Sequence, residues 1–157
     1  MNHLKNIRLS TNFTLKEMIK SSTALRCEID NSPNKREIMN LTSLCVNVLQ
    51  PIRDHYNMIV SVSSGFRCIE LNTLLKSKPS SSHVQGEAAD MEVPGLDNYV
   101  LAMWVRDHLE FDKLILEYYE DNISSSGWIH VSYSTKNPNR NQVLTINHKG
   151  TFPGLII

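Results

Sequence analysis

The sequence lacks several features that would place a protein in a broad class at once. Its 16 Lys and Arg residues balance 16 Asp and Glu residues, so no excess charge favours nucleic acid or an anionic membrane. No unbroken apolar run is long enough to span a bilayer, and the polar start MNHLKNIRLS lacks the apolar core of a signal peptide. We therefore expect a protein with no nucleic-acid partner and no membrane span, cytoplasmic as synthesised.

Cysteine is also scarce. Cys27, Cys45 and Cys68 are odd in number, widely spaced and outside any CxxC pair, which argues against a disulfide framework or a thiolate zinc site. Cys45 lies on the apolar stripe of a predicted helix, so we expect a buried thiol there. Cys68 follows GFR and could lie near a site. The chain has no internal repeat, and its 157 residues, 41% of them hydrophobic, predict one domain over residues 1–157.

Helices come first in the predicted order of elements. Thr14 and Glu17 form a capping-box pattern that starts a short helix near Leu15. The segment SPNKREIMNLTSLCVNVLQPIRDHY predicts a longer helix, capped by Ser32 and then kinked or ended by Pro51. Two further helices are expected, one over IELNTLLKS and one after the capping residue Asp97.

Strands dominate the later part of the chain. Alternating apolar residues or short apolar runs predict strands at MIVSVSSGFR, EAADMEV, FDKLILEYY, GWIHVSYS and NQVLTINHK. Helices followed by paired strands, without regular βαβ alternation, indicate an α+β fold. We expect an antiparallel sheet with helices packed on one side and its other face open for a site.

A histidine and an aspartate lie seven positions apart in SSSHVQGEAAD. Asp90 faces away from the core if its two apolar neighbours face the core, and the alternation of GWIHVSYS does the same for His130. Neutral imidazole and carboxylate are both zinc ligands, and three of them leave the fourth position of a tetrahedral ion free for water. His83, Asp90 and His130 therefore indicate a catalytic Zn²⁺ site.

These segments resemble a known family. SSHVQGEAAD resembles the S-x-H-x-x-G-x-A-x-D signature of the zinc D-alanyl-D-alanine carboxypeptidases and L-alanyl-D-glutamate peptidases, whose fold is shared with the Hedgehog signalling domain. SSGFRCIELN resembles the S-G-[YF]-R-x-x-x-x-N segment that precedes it, and GWIHVSYS resembles the strand with the last zinc histidine. With FTLKEMIKSSTALR and LQPIRDHY the similarity covers nearly the whole chain, most closely the short members carried by phages and prophages.

The resemblance implies that the chain binds zinc and hydrolyses peptide bonds in the stem peptides of peptidoglycan. Arg67 corresponds to the family arginine that holds the substrate carboxylate or the developing oxyanion, and Ser81 to a hydrogen-bonding group on the substrate side. The bond cleaved could be D-Ala-D-Ala, L-Ala-D-Glu or a cross-link, and the sequence leaves these alternatives open. We expect a monomer that acts on the cell wall after release.

One position departs from the family pattern. Many members have an acidic residue three positions before the last zinc histidine as the catalytic base, and here that residue is Gly127. We predict that Glu117 supplies the base if its strand pairs with the strand of that histidine, with Glu120 and Asp121 in the turn as alternatives. Glu117 could instead be a surface carboxylate paired with Lys113. A second hypothesis is a catalytically inactive zinc-containing binding module on the same fold.

Overall fold

Helices and strands follow one another irregularly along residues 7–157, the part of the chain that the structure, a computed structural model, describes. The helices are Leu15–Met18 (α1), Ser22–Arg26 (α2), Lys35–Leu44 (α3), Gln50–Tyr56 (α4), Ile69–Leu74 (α5) and Asn98–His108 (α6). The strands are Ser61–Ser64 (β1), Ala88–Glu92 (β2), Lys113–Glu117 (β3), Trp128–Ser132 (β4), Gln142–Asn147 (β5) and Gly150–Pro153 (β6). Among residues 7–157, no helix is long and apolar enough to cross a bilayer.

The helix starts are set by capping side chains. In α1, the Thr14 hydroxyl accepts from the Glu17 amide and the Glu17 carboxylate accepts from the Thr14 amide at 2.8 Å, which confirms the predicted capping box. The predicted cap of α3 is wrong, because Asn34 takes that position and Ser32 does not. The Asn34 side chain accepts from two backbone amides of the first turn, whereas the Ser32 hydroxyl donates to Asp30.

Pro51 does not end the long helix. A π-helical turn over Cys45–Leu49 joins α3 to α4, and the helix continues to Asn57, which ends it in the left-handed conformation at φ 50°. A proline has no N–H to donate and crowds the carbonyl one turn before it, so a wider turn at this point relieves both conflicts. Cys45 is fully buried as predicted, and burial, followed by the charge of Glu17, raises the pKa of its thiol to about 12.

The six strands form one sheet in the order β1-β2-β4-β3-β5-β6. The prediction of an antiparallel sheet holds for every neighbouring pair except β3 and β5, which are parallel. β5 is antiparallel to β4, the strand that precedes it in the sequence, but it cannot pair with β4 because β2 and β3 already occupy both edges of that strand. It therefore pairs with β3 instead. β6, which the sequence did not predict, follows β5 in a tight hairpin.

Strand alternation divides the sheet into two faces. One face packs against the helices and supplies the buried side chains Ala89, Met91, Leu114, Leu116, Ile129 and Val131. The opposite face of the same strands carries Asp90, His130, Ile115 and Glu117. The fold is thus a mixed α+β arrangement in which polar side chains gather on the face away from the main core.

Candidate metal centre

Three side chains from separate elements converge on the polar face of the sheet. Asp90 in β2 and His130 in β4 are directly paired across the strands. His83 comes from a short 3₁₀ turn, Ser82–Gln85, that ends in the left-handed Gly86. One possible ligand atom from each of the three side chains lies within 4.8 Å of the others. The structure therefore brings together the three residues that the sequence predicted as metal ligands.

The two imidazoles are oriented towards a common point. His83 Nε2 lies 3.2 Å from Asp90 Oδ1, and His130 Nδ1 lies 2.9 Å from the same oxygen. His83 Nδ1 lies 2.7 Å from the carbonyl oxygen of Gly65, and because a carbonyl can only accept, Nδ1 carries the proton. Nε2 then carries a lone pair that can bind a metal. A hydrogen bond from the other ring nitrogen to a backbone carbonyl commonly fixes the tautomer of a metal-binding histidine in this way. This donor set fits zinc.

Arg67 holds the other side of the aspartate. Its Nη2 donates to Asp90 Oδ2 at 2.7 Å and its Nε donates to Ser64 at 2.8 Å, so one carboxylate oxygen faces the guanidinium and the other faces the imidazoles. Burial raises the pKa of Asp90, but the polar contacts with His130 and His83 outweigh burial and hold this pKa well below its usual range. Asp90 is therefore ionised at neutral pH and suited to bind a cation.

A buried amide holds the loop that carries Arg67. The Asn31 side chain donates to the carbonyl oxygens of Ile19 at 2.9 Å and Phe66 at 3.0 Å, and accepts from the Cys68 amide at 2.7 Å. Cys68 itself caps α5 and is not among the residues that line the cleft described below. Asn31 was missed by sequence reasoning, since an isolated asparagine 36 positions from Arg67 gives no local signal.

Glu117 lies on the same face as the ligands. β3 and β4 pair antiparallel as predicted, with Ile115 opposite His130 and Glu117 opposite Trp128. Burial, followed by the negative charge of Asp90, raises the pKa of Glu117 above its ordinary value. A carboxylate whose pKa is raised is a better proton acceptor near neutral pH than an exposed one.

The alternatives to Glu117 are placed less favourably. Glu120 and Asp121 are exposed residues of the turn after β3, and neither lines the cleft around the metal ligands. Within residues 7–157, Glu117 and Lys113 form no ion pair, so the simple surface-pair interpretation of Glu117 does not describe this structure.

The backbone explains why position 127 carries no acid. Gly127 has φ +64°, a conformation that side-chain-bearing residues rarely adopt. A Cβ atom there would overlap the carbonyl oxygen of Glu117 and lie 2.7 Å from backbone atoms of both Tyr118 and Tyr119. The backbone of residues 117–119 thus approaches Gly127 so closely that it leaves no room for a side chain at position 127.

These residues border a cleft of about 490 Å³. Its floor is the open face of β3, and one wall is the serine-rich loop of residues 77–82, which includes Ser81. Trp128, Ile146, Lys78 and Lys113 also line it. Alternation in FDKLILEYY already predicts Lys113 on the face of Glu117, whereas Ile146 reaches the cleft through the unpredicted pairing of β5 with β3.

The chain is similar to a known protein family. The model of the family described as Peptidase M15 matches residues 11–132, a span that begins just before α1 and ends with β4. It includes all three candidate ligands, Arg67 and Glu117. No curated protein matches the chain.

Proposed function

The chain belongs to the peptidase M15 family, whose members are zinc peptidases, and we propose that it cleaves the stem peptides of peptidoglycan. The reaction is of the D-Ala-D-Ala carboxypeptidase or the L-Ala-D-Glu endopeptidase type. The observation that carries the proposal is the convergence of two histidines, one aspartate and the Glu117 carboxylate on one cleft. A metal centre without a nearby proton acceptor would support a binding function but not hydrolysis.

His83, Asp90 and His130 are the residues that would hold the zinc ion. Zinc bound there supplies a Lewis acid for the scissile carbonyl and lowers the pKa of a water towards about 7. Other residues of the chain orient two of these side chains: the Gly65 carbonyl accepts a hydrogen bond from His83, and Arg67 forms an ion pair with the Asp90 carboxylate.

Glu117 is assigned as general base and then general acid. Its carboxylate accepts a proton from the attacking water and passes it to the nitrogen of the leaving amine. The raised pKa supports this role, since a group that both takes and returns a proton works best when its pKa approaches the working pH.

Arg67 and Ser81 are assigned to the substrate. The Arg67 guanidinium has more N–H donors than its contacts to Ser64, Ser77 and Asp90 use, and the residue lines the cleft. We assign the remaining donors to the oxyanion that develops on the scissile carbonyl. Ser81, in the serine-rich loop that also lines the cleft, is assigned a hydrogen bond to the substrate backbone.

The test combines metal analysis with product identification. Purified protein prepared in zinc-containing buffer should carry about one zinc per chain. It should convert at least one of three defined muropeptides, which offer a D-Ala-D-Ala bond, an L-Ala-D-Glu bond or an interpeptide cross-link, and product masses name the bond. Glu117→Gln should keep the zinc and lose about two to four orders of magnitude in turnover. Glu120→Gln, an exposed control in the adjacent turn, should leave turnover unchanged.

Two results would contradict this assignment. Full zinc retention in a His83→Ala/His130→Ala double variant would show that the metal binds elsewhere. Zinc bound by intact ligands, with no product from any of the three muropeptides, would favour the catalytically inactive binding module on the same fold.

A further inference from the structure

The floor of the cleft carries opposite charges at its two ends. Lys113, Ile115 and Glu117 lie on one face of β3, and Ile115 is directly opposite His130. At a rise of about 3.3 Å per residue, the backbone positions of Lys113 and Glu117 are about 13 Å apart, with the metal ligands level with the midpoint. A substrate bound across the metal site therefore meets a carboxylate at one end and an ammonium group at the other.

The charge of Arg67 is already in use. Its guanidinium forms an ion pair with Asp90 at 2.7 Å, and both side chains are only 12% exposed. A substrate carboxylate at Arg67 would add a second full negative charge to a guanidinium whose positive charge is already balanced by Asp90. Arg67 is thus better suited to a charge that develops during the reaction than to a permanent anion.

The charge of Lys113 remains available. No ion pair within residues 7–157 includes Lys113. The neighbouring Asp112 accepts from Nε and Nη2 of Arg140 at 2.7 Å and 2.6 Å. Lys113 is half-buried in the cleft, whereas Lys78, the other lysine of the lining, is exposed on the serine-rich loop. A half-buried ammonium group gains more from a carboxylate than an exposed one, because water screens it less.

We propose that Lys113 binds a carboxylate of the peptide substrate and makes the enzyme selective for anionic peptides. This inference rests on the proposed peptidase function. Lys113 lies two residues from Ile115, about 7 Å along the strand, which corresponds to a carboxylate one or two residues from the scissile bond. The C-terminal carboxylate of a D-Ala-D-Ala peptide and the free carboxylate of a D-glutamate residue are the two sources that meet this condition.

The experiment compares each peptide with its amide. One pair of substrates differs only in a C-terminal carboxylate or carboxamide, and a second pair differs only in D-glutamate or its amide. The ratio of kcat/KM for acid over amide is measured on one enzyme preparation, so the fraction of folded protein cancels. In one pair, wild type should prefer the acid about tenfold, and Lys113→Gln should reduce this ratio to about one. Lys113→Arg should retain most of the preference, and Lys149→Gln, in the turn between β5 and β6, should retain all of it.

Each outcome decides the inference. An acid-to-amide ratio that is unchanged in Lys113→Gln, or that is abolished by Lys78→Gln alone, would overturn the inference. The pair of substrates that shows the preference identifies the source of the carboxylate.

If wild type cleaves no peptide, the proposed function fails separately. The same acid and amide peptides are then titrated into metal-free protein by NMR. Tighter binding of the acid by wild type but not by Lys113→Gln would support the carboxylate site, and equal binding would overturn it.

Discussion

Replacement of Gly127 by alanine tests how tightly the ends of β3 and β4 are constrained. An L-residue at φ +64° costs about 1–2 kcal/mol of folding free energy. The new Cβ also overlaps the carbonyl oxygen of Glu117, and forcing extra atoms into a packed region costs about 1–3 kcal/mol more. We expect Gly127→Ala to lower the free energy of unfolding by about 2–5 kcal/mol. At about 2–4 °C per kcal/mol for a chain of this size, the melting temperature falls by about 4–20 °C.

Gly154→Ala separates the two contributions. Gly154 also has a positive φ, +79°, but a Cβ there meets nothing within 4 Å, so only the conformational cost remains. Urea unfolding of both metal-free variants gives the overlap contribution as a difference, expected to be about 1–3 kcal/mol. Gly127→Ala should also lose most of its turnover in the folded fraction, because Glu117 must move. Equal stability of the two variants, or wild-type turnover in Gly127→Ala, would refute the reasoning.

Two further predictions concern the charged groups of the cleft. Because the folded-state pKa of Glu117 is raised, its ionisation destabilises the metal-free fold once the pH exceeds the ordinary value of about 4.3. Glu117→Gln should therefore gain stability relative to wild type as the pH rises above about 4.3 in urea unfolding, and a difference that does not change with pH would contradict the raised pKa. Arg67→Lys keeps the charge but loses the planar fork that holds Asp90, so chelator competition should show zinc affinity reduced about tenfold, with no change in an Arg140→Lys control. Unchanged affinity in Arg67→Lys would show that Arg67 does not act through the metal ligand.

The parts of the fold that the sequence predicts correctly depend on local rules. The caps of α1 and α6 follow from hydrogen bonds between residues two or three positions apart, and the strand faces follow from alternation. The three candidate ligands are also accessible to sequence reasoning, since spacing and alternation place Asp90 and His130 away from the core. His83 joins them through the spacing of the SSHVQGEAAD segment.

The parts that sequence reasoning misses depend on contacts between distant segments. The cap of α3 was misplaced because Ser32 and Asn34 both have capping side chains, and only the geometry shows that Ser32 bonds to Asp30. The parallel pairing of β3 with β5 depends on which sheet edge is already occupied. The absence of an acid at Gly127 reads as a missing catalytic group in the sequence, whereas the structure shows that the strand carrying Glu117 excludes it.

The last two strands have a consequence for how this enzyme could diversify. The family match ends with β4, and every residue assigned to the metal or to proton transfer precedes that point. β5 follows it and contributes Ile146 to the border of the cleft. Mutations in residues 133–157 can therefore change the shape of the cleft near Ile146 without replacing any residue that is assigned to the metal or to proton transfer. Selection for a new peptide could act first on this C-terminal segment, and exchanging it between relatives offers a direct route to altered substrate preference.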